Sequence, residues 1–214
     1  MARRAWWVGA ALLAMAIASA TGILGALGSV VGPNRAETLA QLVDAQGPLT
    51  TALACVVLVI VLDLVVAFGF FGLLRSVSTD LAAAATALRV GYAMVFLTAA
   101  GHLAVARDAA PVRPEDAVRA VDAFQSTWDL GLVVFGLHLI LLGVLIWRSV
   151  ILPRWLGALV IVAGAGYVVD ALVIVFGADL SKVGTVTFVG EFALALWLVF
   201  AHRRIGRRAD QIAA

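Results

Sequence analysis

The sequence predicts an all-α, polytopic membrane bundle of six transmembrane helices with both termini cytoplasmic. Three observations carry that prediction. Six long apolar stretches, roughly residues 5–31, 49–74, 81–106, 129–147, 155–177 and 185–201, fill most of the 214-residue chain. About 18 consecutive apolar residues are enough to cross the ~30 Å hydrocarbon core as a helix. Charged residues make up 13% of the chain and hydrophobic ones 64%, whereas about 25% of a soluble domain is charged. Arginines also alternate in density between successive connections. One side holds Arg3, Arg4, Arg75, Arg148, Arg154, Arg203, Arg204, Arg207 and Arg208; the other holds Arg35, Arg107, Arg113, Arg119 and Lys182. With connections this short, the richer side is the cytoplasmic one.

The first stretch follows Arg3, Arg4, Trp6 and Trp7. Its Ala18-Ser19-Ala20 imitates a signal-peptide cleavage site, but a signal's apolar region is about 7–15 residues. This one continues through Ile23, Leu24, Leu27 and Val31, so it is expected to remain as the first span. Ala14, Ala18, Gly22 and Ala26 form a small-residue stripe along it, the kind that lets helix backbones approach in lipid. After Pro33, residues 34–46 place Leu39, Leu42 and Val43 on one helical face, and Asn34 with Glu37 resembles a capping box. This predicts a short amphipathic helix on the outer leaflet.

The second span carries Asp63 and Cys55. Cys55 is the single cysteine, which excludes an intrachain disulfide and a cysteine metal cluster. The third span carries Arg89 and His102. After Pro114, Ala117, Val121, Phe124 and Trp128 recur at helical spacing and Glu115 can pair with Arg119. A second interfacial helix is therefore expected ahead of the fourth span. Both such helices read first as connectors, with a lid over a pocket as the functional alternative. The fourth span carries His138, the fifth Gly157, Gly164 and Asp170, and the sixth Glu191. Arg75-Ser76-Val77 recurs as Arg148-Ser149-Val150, and Gly91-Tyr92 as Gly166-Tyr167. Helices two and three therefore form a candidate parallel repeat with four and five.

Short loops leave room for one domain, residues 1–214. A net charge of +2 and a pI near 9.2 reflect arginines at helix ends rather than a nucleic-acid footprint. The single lysine, Lys182, against many arginines and alanines points to a GC-rich bacterial genome.

The information lies in the ionisable residues inside the spans, because each costs on the order of 3 kcal/mol or more in lipid unless it faces a partner or a wet cavity. Depth counted from the outer ends at about 1.5 Å per residue puts His102, Asp170 and Glu191 shallow, His138 deeper and Asp63 deepest. Asp63 and Arg89 are expected to form a buried ion pair on neighbouring helices. His138, Asp170 and Glu191, with Tyr167 on the wall, are expected to line one pocket open to the outer face. His138 is the side chain there whose ordinary titration lies nearest neutrality. His102 and His202 read as solvated.

Phe135-Gly136-Leu137-His138, Arg148-Ser149, Leu152-Pro153-Arg154, Leu156-Gly157, Gly166-Tyr167 and Asp170 carry a resemblance. So do Gly190-Glu191-Phe192 and Leu196-Trp197-Leu198. Together they resemble a bacterial membrane-protein family catalogued as domain of unknown function 4386. The resemblance implies a six-helix integral membrane protein and brings no substrate, cofactor or reaction with it.

Three functions compete. The first is a small transporter or receptor that binds a proton, a cation or a polar solute in the outward pocket. The second is a non-catalytic membrane subunit or organising protein, whose polar residues are interhelical glue. The third is an intramembrane metal-dependent enzyme, which has only His102 and His138 to offer, at different depths, and no paired-histidine motif. No phosphate-binding loop or serine-histidine-acid pattern is present, which argues against energy-coupled pumping and ordinary hydrolase chemistry and leans away from an enzyme; no catalytic residue, metal or cofactor is assigned. The expected surroundings are the lipid bilayer of the bacterial cell membrane and a homo-oligomer or partner membrane protein, without nucleic acid.

Overall fold

A computed structural model describes residues 1–175 and 189–213, and among them regular structure is helical throughout. Helix α1 spans Ala2–Ser19 and continues as a π-helical segment, Ala20–Leu27. Then follow α2 (Arg35–Leu42), α3 (Gln46–Leu74), α4 (Thr79–Ala109), α5 (Pro114–Arg148), α6 (Arg154–Val175), α7 (Val189–Phe200) and α8 (His202–Ala213). Five helices are long and apolar enough to cross a membrane: the continuous Ala2–Leu27, then α3, α4, α5 and α6. The sixth predicted stretch appears as the 12-residue apolar helix α7, and its first residues, 185–188, lie outside the described residues.

The exposed faces explain why the pattern reads as membrane. Along α3, Val61, Val65 and Phe68 are at least half exposed, and Ile17, Leu24, Val105 and Val162 are exposed on other helices. Large apolar side chains in water-facing rows would be costly, so these rows mark surfaces for lipid. In α3 and α6 apolar residues fall on every side of the helix, with no continuous polar face.

The chain divides into two compact units. One comprises Met1–Leu13, Asp63–Tyr92 and Leu130–Ala214; the other comprises Ala14–Leu62 and Ala93–Asp129. In the second unit, α2 begins as expected: the Asn34 side chain accepts from the Glu37 backbone N–H at 2.9 Å and donates to the Glu37 carboxylate at 2.6 Å. Arg35 then pairs with Glu115 at 3.2 Å, fastening α2 to the start of α5. The second interfacial helix predicted from residues 114–128 is not separate. Those residues are the first turns of the 35-residue α5. After Pro114 no proline interrupts the sequence before Arg148, and a change from amphipathic to apolar composition does not break backbone hydrogen bonding. Phe96, Phe124 and Trp128 stack there with centroids 5.9–6.3 Å apart.

In the first unit, glycines set the packing. A Cβ on Gly136 would lie 2.6 Å from the Gly164 carbonyl oxygen, and one on Gly143 2.7 Å from that of Gly157. The two pairs are seven residues apart on each helix, so α5 and α6 run antiparallel with their backbones in contact. A third close approach places Gly190 of α7 against the Leu159 backbone. Close backbone approach of this kind is how helices gain van der Waals contact where lipid removes the hydrophobic drive.

Candidate functional site

Within the first unit, the turns Arg75–Ser78 and Ser149–Pro153 are short, and the helix ends beside them supply a common datum. Asp63 lies 11 residues from the Leu74 end of α3. Arg89 lies 10 from the Thr79 end of α4, and His138 lies 10 from the Arg148 end of α5. At about 1.5 Å per residue all three sit about 15 Å in, halfway through a ~30 Å core.

The structure joins them. Arg89 Nη2 lies 2.6 Å from Asp63 Oδ1, and the two side chains are 1% and 0% exposed. Arg89 Nη1 lies 3.1 Å from His138 Nε2. His138 Nδ1 lies 2.7 Å from the Ala85 carbonyl oxygen, one helical turn before Arg89. A carbonyl can only accept and a guanidinium can only donate. Nδ1 therefore carries the hydrogen and Nε2 accepts, the bonding of a neutral imidazole in a single tautomer. The Phe135 ring closes the site, with its centroid 5.4 Å from the guanidinium carbon, in cation–π range. Oδ2 of Asp63 has no hydrogen-bond partner among the described residues.

Two further groups complete the cluster. The Tyr167 hydroxyl hydrogen-bonds to the Glu191 carboxylate, which lies within electrostatic reach of both Arg89 and Asp63. Tyr92 and Tyr167 pack on the same Phe135 ring, with centroids 4.7 and 5.5 Å away. The two tyrosines that mark the candidate sequence repeat thus meet at one side chain. Asp170, a turn beyond Tyr167, lies within electrostatic reach of that hydroxyl.

This differs from the depth estimate, which separates His138 from the Asp63–Arg89 pair and groups it with shallower residues. That estimate counts from the outer ends, and α5 extends well beyond its apolar part at that end. A separate cavity beside His138, about 10 Å³ and room for about one water, is bordered by Phe70, Leu74, Ala82, Ala85 and Leu145 toward the short-turn ends. Residues 176–188, which separate Asp170 from Glu191 in the sequence, lie outside the described residues. His102 belongs to the second unit. There it lines an open cleft of about 530 Å³ with Asp108, Arg113, Asp116 and Arg119. His202 Nδ1 lies 2.6 Å from the Val199 carbonyl oxygen.

What sequence reasoning missed is the bond between His138 and Arg89, and the Ala85 carbonyl that orients the ring. The signal was present: counted from the short turns, the three residues are level. Among the described residues no three histidine, cysteine or acidic side chains come together as a metal site.

Comparison with known proteins adds a family and a relative. The family described as Domain of unknown function (DUF4386) matches residues 7–201. An uncharacterized protein of Archaeoglobus fulgidus is 35% identical over 158 residues, which are 74% of this chain and 88% of that protein. No solved structure matches.

Proposed function

We propose, on the premise that this chain belongs to the DUF4386 family, that it is a small membrane transporter or receptor. It takes a proton, a cation or a polar solute at the cluster of Asp63, Arg89, His138, Tyr167 and Glu191. The observation that carries the reading is a charge balance. Asp63 pairs directly with the one guanidinium, a second carboxylate, Glu191, lies within electrostatic reach of it, and one Asp63 oxygen has no hydrogen-bond partner among the described residues. Away from water, an unbalanced carboxylate and an unmet acceptor each cost several kcal/mol. A proton or a cation offsets the charge, and a polar N–H or O–H meets the open acceptor. His138 then acts as a positioning residue, because its two hydrogen bonds hold the guanidinium against Asp63. Asp170 lies on the approach past Tyr167.

The same reading places the protein in the plasma membrane as one domain with six spans. The match over residues 7–201 runs through both compact units, and the apolar helix α7 is the described part of the sixth predicted stretch. The arginine asymmetry puts both termini in the cytoplasm. A second reading, the non-catalytic subunit or organising protein, is favoured by the near-complete burial of the ion pair, which is also what interhelical glue requires. The metal-dependent enzyme gains no such support, because both nitrogens of His138 are already engaged.

Reconstitution into vesicles with an internal pH dye tests the first reading against the second. The expected result is a wild-type proton or solute flux that Glu191→Gln abolishes while yield is kept and the melting temperature does not fall. A wild type without flux, together with a Glu191→Gln variant altered only in melting temperature, moves the assignment to the non-catalytic subunit.

A further inference from the structure

We propose that α8 and the arginines around it form a binding surface for anionic phospholipid headgroups. In α8, Arg203, Arg204, Arg207 and Arg208 are all exposed. At 100° per residue they share one arc with Gln211, about 140° wide. The other side of the helix faces the protein: Ile205 is 1% exposed, and Gly206 packs against Ala2. Arg208 Nη1 also reaches the Val150 carbonyl oxygen at 3.4 Å. The helix is thus held across the Ala2 end of α1 and the turn after α5, with its cationic side outward.

Two observations say what meets that side. First, this level is an interface. Trp6, Trp7, Trp147 and Trp155 are exposed at the helix ends beside it, and tryptophan collects where headgroups meet acyl chains. Helix α7 ends at Phe200, and α8 begins at His202. The tail therefore starts at headgroup depth. Second, among the described residues no carboxylate neutralises this charge. In the second unit each arginine has a carboxylate: Arg35 pairs with Glu115, Arg107 with Asp108, and Arg113 and Arg119 both with Asp116. In the first unit, no carboxylate pairs with Arg203, Arg204, Arg207 or Arg208 among the described residues. The same holds for the exposed Arg3, Arg75, Arg148 and Arg154. A row of guanidiniums at headgroup depth binds phosphate bidentately, and each such residue near an anionic leaflet adds roughly fivefold in affinity. Topogenesis accounts for arginine on this side of the membrane. It does not account for four of them fanned along one side of a helix whose other side is packed.

The test uses the whole chain in nanodiscs of equimolar phosphatidylglycerol and phosphatidylcholine at physiological ionic strength. Native mass spectrometry counts the lipids retained. The wild type is expected to keep phosphatidylglycerol at least tenfold over phosphatidylcholine, and to lose that preference at high salt. Changing the four arginines together to glutamine removes the preference, and changing them to lysine preserves most of it. A wild type without preference, or a glutamine variant that keeps it, overturns the proposal. If the glutamine variant does not fold, the wild-type salt series and the lysine variant decide: a salt-insensitive preference, or its loss with lysine, overturns it equally.

Discussion

Arg89 is a single guanidinium serving Asp63, His138 and the field of Glu191, and that arrangement decides what its loss does. Removing one partner of a buried ion pair leaves the other charge without compensation, at about 3–5 kcal/mol. Arg89→Leu and Asp63→Leu are each expected to lower the unfolding midpoint in detergent sharply. The double variant recovers much of the loss, because two apolar side chains leave no buried charge. A double variant as unstable as the sum of the singles would show that the pair is not coupled. His138→Phe keeps the ring shape and strands a guanidinium N–H, with an expected cost of about 1–3 kcal/mol in the same melting assay. Glu191→Gln, at the edge of the cluster, is expected not to lower the melt and to act on flux. At this scale the sequence marked the ionisable residues inside the apolar stretches, because such a group stands out in composition alone. It did not show that His138 bonds to Arg89, since the level of a residue depends on where its helix starts.

Among the elements, α5 is the one whose length the composition disguised. Its amphipathic first turns and apolar remainder form one rod of 35 residues, about 52 Å long. Its glycines divide by what faces them. Gly143 meets the Gly157 carbonyl oxygen and the Ile161 backbone, so Gly143→Ala must push α5 and α6 apart. Overpacking of this kind costs about 1–3 kcal/mol. Gly101 in α4 has nothing within 4 Å of an added Cβ. Gly101→Ala is therefore expected to stabilise, because alanine is up to ~1 kcal/mol better than glycine inside a helix. Opposite shifts in thermal midpoint for the two variants are the outcome to look for. A rise with Gly143→Ala would mean that the backbones are not in contact. The sequence marked Gly157 and Gly164 as small-residue positions, but not Gly136 and Gly143 as their counterparts. Glycine spacing locates a packing face without naming the helix that meets it.

For the whole molecule, the testable quantity is orientation. Cys55 is the single cysteine, and Cys55→Ala keeps the Cβ that packs on Gly22, so a cysteine-free background is within reach. With both termini cytoplasmic, a cysteine at exposed Gln211 is expected to resist an impermeant maleimide in intact cells and to react after lysis. One at exposed Val112 is expected to react in intact cells. The reverse pattern would invert the topology. The sequence by itself determined the membrane as solvent, the helical class, the apolar stretches and the list of ionisable groups inside them. Each follows from transfer energy, which composition carries residue by residue. Tertiary structure decided which of those groups meet. Helices α3 and α6 are apolar on every side, so no periodicity marks which way Asp63 or Tyr167 points. Rotation about the axis is set by backbone contacts such as Gly136 on Gly164 and Gly143 on Gly157. Counting from the short turns makes Asp63, Arg89 and His138 level, but only the packed structure turns them to face one another.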